Sequence, residues 1–128
     1  MKNVPILSSR RLGLACVMAT LAAVLPLQAL SQVYPAKPVK VLVGFTAGGA
    51  VDLIARSVGQ VMQASLGQPI VVENKPGAGT NIAMKALIDA PPDGYTLMLT
   101  ANSIAANPAL YKPAPFDPEK DVAPVALV

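Results

Sequence analysis

The 128-residue sequence contains no histidine and no tryptophan, and its single cysteine, Cys16, lies within the first 31 residues. Without histidine, the chain lacks the usual general base of neutral-pH catalysis and the commonest metal ligand. Residues 32–128 therefore cannot form a serine–histidine or cysteine–histidine nucleophile pair or an internal disulfide. Charged residues make up 13% of the chain, and the carboxylates are scattered rather than paired. We predict that the protein is not an enzyme and has no metal site and no cofactor.

The first 31 residues have the pattern of a secretory signal peptide. Basic residues near the start precede an uncharged apolar run at 12–27, and small residues follow at Ala29 and Ser31. The run is shorter than the roughly 20 apolar residues that a membrane span needs. We predict cleavage after Ser31. The alternative is an apolar anchor that stays attached.

Without this leader the chain is electrically neutral. The net charge of +3 comes from Lys2, Arg10 and Arg11, and the other seven basic residues are balanced by seven acidic ones. The basic excess of the whole chain is therefore no argument for a nucleic-acid partner. Residues 32–128 suffice for one small domain. Because they end in an apolar segment without a polar tail, we expect an N-terminal fragment or a truncated gene product.

The spacing of apolar residues predicts strands that alternate with helices after residue 38. Strands are expected at 39–44, 69–73, 95–100 and 122–128, and helices at 51–66 and 81–90, with a short helical piece ending at 106. Because the connections are short, the strands should lie parallel, with helices packed on the sheet. A stripe on the first helix is expected to face the sheet: Val51, Ile54, Ala55, Val58, Val61, Met62 and Leu66.

Three single residues have local predicted roles. Gly67 should end the first helix. Gly59, in the middle of that helix, indicates close packing, because glycine costs about 1 kcal/mol relative to alanine there. Asp117 should cap one helical turn at 117–120.

Two glycine-containing loops, 44–49 and 76–81, each follow a predicted strand and precede a predicted helix. Glycines let a ligand approach the backbone, and a helix start directs N–H groups toward an anion. These loops and a third at 101–103 should meet at one edge of a parallel sheet. No lysine or arginine occurs within 44–52 or 76–84. An anion bound there would be held by backbone dipoles and hydroxyl groups.

Purely structural roles are the alternative for these residues. Each glycine loop could be only a tight turn, and Thr80 or Asn81 could only cap the second helix. Asp52 could only satisfy N–H groups of the first helix, with Arg56 as its i,i+4 partner. The absence of a GK[ST] motif excludes a phosphate-binding P-loop, and GFTAGG is not the GxGxxG of dinucleotide-binding folds.

Five segments of the chain resemble the periplasmic receptors of tripartite tricarboxylate transporters, the Bug-type solute-binding proteins. They are YPAKPVKVLVGFTAGGAVDLIAR, GQPIVVENKPGAGTNIA, PPDGYTLMLT, NPALY and FDPEKDVAPVALV. The resemblance implies an α/β fold of the periplasmic-binding-protein type II class, with a parallel-rich sheet flanked by helices. It also implies two domains that close over a small carboxylate in the periplasm and deliver it to membrane permease subunits. Residues 32–128 would form the first segment of domain one.

The resemblance further implies the ligand-binding residues. They are Phe45, Thr46, Ala47, Gly48, Gly49 and Asp52 in the first loop region, Gly77, Ala78, Gly79, Thr80 and Asn81 in the second, and Ser103 in the third. In this family, backbone groups and ordered waters at the first loop grip one ligand carboxylate. The sequence departs from the family pattern at Gly44, at Ala50-Val51 and at Ala83. A secreted α/β enzyme acting on a carboxylated or phosphorylated substrate, and an inactive fragment, remain alternative interpretations.

Overall fold

The computed structural model describes residues 33–128, so the predicted signal peptide lies outside the described residues. Strands and helices alternate along this part of the chain, as the apolar pattern predicts. They are β1 (Val39–Val43), α1 (Ala50–Leu66), β2 (Ile70–Asn74), a 3₁₀ turn (Ala78–Thr80), α2 (Asn81–Ile88), β3 (Thr96–Leu99) and α3 (Ser103–Leu110). Among residues 33–128, no helix is both long enough and apolar enough to cross a membrane.

The three strands form a parallel sheet in the order β2-β1-β3. Val41 of the central strand lies opposite Val72 on one side and Leu97 on the other. A central parallel strand is covered on both faces and therefore reads as a nearly continuous apolar run. The sequence VKVLV has this property, and Leu42 is 1% exposed. The predicted parallel α/β arrangement is confirmed.

The two crossover helices pack on the sheet and enclose the central strand. α1 contacts β2 and β1, and its Ala55 joins Val41 and Val43 in one buried cluster. Because side chains alternate across a strand, Leu42 lies on the other face of the sheet. α2 contacts β3 and β1 and buries Ala83 and Met84.

The contact line of α1 differs from the predicted stripe. The helix buries Asp52, Ala55 and Gly59, which recur at i, i+3 and i+7 on one side. Ile54 and Val61 are 46% and 72% exposed. They were wrongly predicted to face the sheet, because each lies about a quarter turn or more away from the contact line. Small residues on that line let the helix approach a narrow three-stranded sheet closely.

The predicted roles of three local signals are confirmed. Gly67 ends α1 with φ 67°, and its N–H donates to the Gln63 carbonyl at 3.0 Å. A Cβ at Gly59 would lie 3.2 Å from Ile70 Cγ2, so the packing there is close. The Asp117 carboxylate accepts the Glu119 N–H at 3.0 Å and caps the turn that follows.

The carboxyl-terminal part of the chain departs from the prediction in two ways. α3 continues to Leu110 and contains Pro108, whereas the predicted helical piece ended at 106. The predicted strand at 122–128 is wrong: these residues form no strand, and the Val125 and Leu127 side chains are largely exposed. A strand needs a neighbour to pair its N–H and C=O groups, and none of the described strands pairs with this segment.

We expect Leu42→Ala to lower the free energy of unfolding by about 2–5 kcal/mol, as truncations of buried leucines do. Val61→Ala, on the exposed side of α1, should cost less than about 0.5 kcal/mol. Chemical denaturation followed by circular dichroism measures both values. Equal losses for the two variants would contradict the burial pattern described here.

Candidate ligand-binding site

Three loops meet at the edge of the sheet where the strands end: loop 1 (residues 44–49), loop 2 (75–80) and loop 3 (100–102). Loops 1 and 2 touch at Gly44, where an added Cβ would lie 2.6 Å from the Cβ of Thr80. The Thr80 hydroxyl donates to the Ser103 Oγ at 3.0 Å, and Ser103 Oγ lies 3.2 Å from the Thr100 hydroxyl. The predicted clustering of the loops at one edge is confirmed.

The Asp52 carboxylate is the centre of a polar network behind loop 1. Its side chain lies in the first turn of α1, and the residue is 2% exposed. One oxygen accepts the Gly48 N–H at 2.8 Å and the Arg56 Nε at 3.0 Å. The other oxygen accepts the Asn74 Nδ2 at 2.9 Å. The predicted i,i+4 pairing of Asp52 with Arg56 is confirmed.

These donors explain the electrostatics of Asp52. Hydrogen bonds from Arg56, Gly48 and Asn74, in that order of importance, hold the pKa of the Asp52 carboxyl well below its ordinary value. Donors to the ionised form outweigh the burial that would favour the neutral acid. Asp52 is therefore a charged group whose two oxygens are engaged by the protein itself.

Loop 2 has an unusual backbone. Four successive residues have positive φ: Gly77 at 129°, Ala78 at 46°, Gly79 at 60° and Thr80 at 79°. Glycine adopts such conformations readily, but Ala78 and Thr80 adopt them as well. Left-handed conformations at non-glycine residues cost about 1–3 kcal/mol each and persist only where neighbours enforce them.

Four hydrogen bonds hold this conformation. The Thr80 N–H donates to the Gly77 carbonyl at 3.0 Å, which closes the turn. The Thr80 hydroxyl donates to Ser103. It therefore does not cap α2, which has no side-chain hydrogen bond at its N-cap. Asn107, 4% exposed on α3, donates from Nδ2 to the Gly79 carbonyl and to Asn81 Oδ1, each at 2.6 Å.

The loops present backbone donors rather than charges. Within residues 33–128, no hydrogen bond engages the N–H groups of Thr46, Ala47, Ala78 or Gly79, and all four residues are exposed. Lys75, at the start of loop 2, is paired with Glu73 at 2.7 Å. This donor set suits an anion held by neutral hydrogen bonds.

The described residues bring together no group of three or more His, Cys, Asp or Glu side chains suited to a metal ion. Asn81 and Ser103, both half-buried, add polar side chains beside the free amides. All twelve residues predicted for ligand binding lie in or directly beside the three loops. Their contact with a ligand stays a prediction.

Two asparagines that support the loops were not among the predicted site residues. Asn74, the last residue of β2, donates to the Phe45 carbonyl at 3.1 Å as well as to Asp52. Asn107 supports loop 2 from α3. The sequence contained a usable signal only for Asn74. A polar residue at the carboxyl end of a parallel strand lies at the edge of the sheet where ligands bind in such folds. Asn107 lies within a helix and gives no such signal.

The fold and the loop edge together define an α/β domain with exposed backbone donors at the carboxyl ends of its parallel strands. A family model described as the tripartite tricarboxylate transporter family receptor, TctC, matches residues 54–128. The chain therefore belongs to this family of periplasmic solute-binding receptors, as its motifs predict.

Individual relatives agree with this family. A UPF0065 protein of Bordetella bronchiseptica is 39% identical over 135 residues, which cover 99% of this chain and 40% of the relative. The structure of the periplasmic binding protein BugD is 42% identical, with a TM-score of 0.64 over 66% of this chain and 28% of that protein. MatC from Rhodopseudomonas palustris, solved with bound malate, is 38% identical, with a TM-score of 0.63 over 69% of this chain and 30% of MatC. The chain thus spans 40% or less of the length of these relatives.

We expect Asp52→Asn to destabilise the protein at neutral pH, because an amide cannot accept the same hydrogen bonds from Gly48, Arg56 and Asn74. A carboxyl whose pKa is lowered by folding contributes stability above its unfolded pKa of about 3.9 and loses that contribution as the pH falls below it. The difference between wild type and variant should therefore be nearly constant above about pH 4 and shrink as the pH is lowered from there toward the folded pKa. Urea denaturation at a series of pH values measures it.

The matched control is Asp89→Asn, which removes an exposed carboxylate paired with Lys85 on α2. Exposed ion pairs of this kind contribute little to stability. A pH-independent loss in Asp52→Asn, or an equal loss in Asp89→Asn, would contradict the role assigned to the buried carboxylate.

Proposed function

We propose that this protein is an extracytoplasmic receptor that captures a small carboxylate and delivers it to the permease subunits of a tripartite tricarboxylate-type transporter. The supporting observation is the group of free, exposed amides at Thr46, Ala47, Ala78 and Gly79 at one edge of the sheet. A carboxylate is the organic anion that fits the family chemistry, since MatC, a relative, was solved with malate.

The proposed mechanism uses backbone dipoles in place of ion pairs. Hydrogen bonds to an ionised acceptor are about twice as strong as neutral ones, and each helix start adds about 0.3–1 kcal/mol for a nearby anion. The two loops lie before the starts of α1 and α2. Because residues 44–52 and 76–84 contain no lysine or arginine, these two loops would hold the carboxylate without a salt bridge, which favours reversible binding.

The proposed residue roles divide into two groups. The amides of Thr46, Ala47, Ala78 and Gly79 are direct donors, and Asn81 and Ser103 are polar neighbours of the bound carboxylate. The remaining predicted residues shape the loops: Phe45, Gly48, Gly49, Asp52, Gly77 and Thr80. In particular, Asp52 accepts the Gly48 N–H and so acts on the ligand through the backbone.

We propose that the protein acts in the periplasm after residues 1–31 have been removed. Residues 32–128 are then the first segment of domain one, and a second domain closes the cleft over the ligand. Closure is favoured by the ligand only to the extent that it contacts the closed state better than the open one. The proposed partners are the membrane permease subunits and the small carboxylate, with no nucleic acid.

We expect Gly48→Val and Gly79→Val to abolish malate binding by a full-length protein that contains this chain. Both glycines have positive φ, 80° and 60°, so a β-branched residue would shift the loop. A side chain at Gly79 would also meet the Tyr111 hydroxyl, which lies 3.0 Å from the Cβ position. Isothermal titration calorimetry with malate, succinate and adipate measures the affinities.

Gly67→Val is the matched control, because Gly67 also has positive φ, 67°, but lies at the far end of α1 with open space around it. It should lower stability without changing affinity. Unchanged affinity in Gly48→Val and Gly79→Val would contradict the loop assignment. Turnover of a carboxylated or phosphorylated compound, abolished by a loop substitution, would favour the alternative of a secreted enzyme.

Titration of the 128-residue chain itself tests whether loops 1 to 3 suffice for binding. We expect no binding or only weak binding, because these loops provide one wall of the proposed cleft. Micromolar affinity for any of the three dicarboxylates would contradict this expectation.

A further inference from the structure

We propose that Asn74 is the positioning residue of loop 1, and that its carboxamide directs the free amides of Thr46 and Ala47 toward the ligand carboxylate. Asn74 has this role only if the proposed function holds. Its structural part, the control of the loop 1 backbone, can be tested without a ligand.

The hydrogen bonds of Asn74 fix the orientation of its carboxamide. Nδ2 donates to the Phe45 carbonyl at 3.1 Å and to Asp52 Oδ1 at 2.9 Å, and Oδ1 accepts the Arg56 Nη2 at 3.2 Å. Both N–H donors and the oxygen are therefore used. A flipped carboxamide would place its oxygen against two other oxygens and its N–H groups against the guanidinium, so one orientation is strongly preferred.

Through these bonds Asn74 holds loop 1 at both ends. It binds the Phe45 carbonyl directly, and it holds Asp52, which accepts the Gly48 N–H at 2.8 Å. The segment between the two anchors consists of Thr46 and Ala47, whose N–H groups no described hydrogen bond engages. The direction of these two amides therefore depends on the carboxamide.

Asn74 also makes the buried carboxylate compatible with an anion site. The ionised Asp52 would repel a nearby ligand carboxylate unless donors offset its charge. Asn74 supplies a donor without adding a charge, and Arg56 supplies the compensating cation at 3.0 Å. Aspartate at position 74 would have almost the same shape but would place an ionised oxygen against the Phe45 carbonyl and Asp52.

The charged groups that face Asn74 are Asp52 and Arg56, both on α1. The neighbouring carboxylate, Glu73, is paired with Lys40 at 2.9 Å and with Lys75 at 2.7 Å. Glu73 also lies on the other side of β2 from Asn74, because side chains alternate along a strand. A pH effect of a new carboxyl at position 74 would thus report on the pair with Asp52.

The test is malate affinity of Asn74→Asp in a full-length protein, measured by calorimetry between about pH 7.5 and about pH 5. At the higher pH we expect affinity to fall at least about tenfold, because hydrogen bonds to charged and carbonyl oxygens are lost. As the pH falls toward about 5, the variant should recover, because the adjacent Asp52 carboxylate raises the pKa of the new carboxyl and the protonated form can again donate to Asp52. The ratio of variant to wild-type affinity at each pH cancels the protonation of malate itself.

Two further variants complete the test. Asn74→Ala should lose affinity without recovery at low pH, because it has no proton to regain. Ser65→Asp adds the same charge at an exposed position near the far end of α1 and should change the affinity less than about twofold, since distant exposed charges are screened. Equal pH behaviour of Asn74→Asp and Asn74→Ala would overturn the proposal.

Amide hydrogen exchange of the unliganded 128-residue chain gives a readout that does not require binding. The Gly48 N–H should be protected in wild type and exchange at least about tenfold faster in Asn74→Asp at neutral pH, with Leu42 on β1 unchanged. Unchanged Gly48 protection, or equal loss at Gly48 and Leu42, would overturn the proposal. Failure of the wild-type full-length protein to bind malate, succinate or adipate, with the exchange result as expected, would instead refute the proposed function and leave only the structural role of Asn74 in loop 1.

Discussion

The buried carboxylate of Asp52 is the constraint on which the arrangement of loop 1 depends. An ionised group this deeply buried is tolerated only when donors satisfy it, and here the donors come from loop 1, from α1 and from the end of β2. Satisfying the carboxylate therefore ties three separate elements together. The conformation of loop 1 follows from the hydrogen bonds that satisfy this one buried carboxylate.

Much of the fold follows from short-range patterns. Three local signals had the predicted effect. They are the VKVLV run of β1, Gly67 at the end of α1 and the glycine loops after two strands. The edge clustering of the loops follows from the parallel topology. The stripe of α1 was harder to predict, because Asp52, Ala55 and Gly59 face the sheet while larger Ile54 and Val61 do not. The face of α1 that packs on the sheet is set by the small side chains of Ala55 and Gly59 and by the hydrogen-bonded carboxylate of Asp52, not by hydropathy.

The site was less predictable than the fold for a similar reason. Glycine patterns located the loops, but the side chains that support them lie far away in the sequence. Asn74 is 29 positions from its partner Phe45. Asn107 is 26 positions from Asn81 and 28 from Gly79. No local pattern reports such pairings. The strand predicted at 122–128 was wrong for a related reason. An apolar composition is compatible with a strand, but a strand forms only where a neighbouring strand pairs with it.

The contact between Gly44 and Thr80 has a mechanical consequence. The two loops approach so closely that a single methyl group at residue 44 would overlap Thr80, and Thr80 is joined in turn to Ser103. Loop 1 cannot move toward loop 2 without a collision at Thr80, and loop 2 cannot move away from Ser103 without breaking the bond from Thr80. Loops 1 to 3 should thus move as one rigid unit, so in the proposed receptor any adaptation to ligands of different size would fall to the opposing domain.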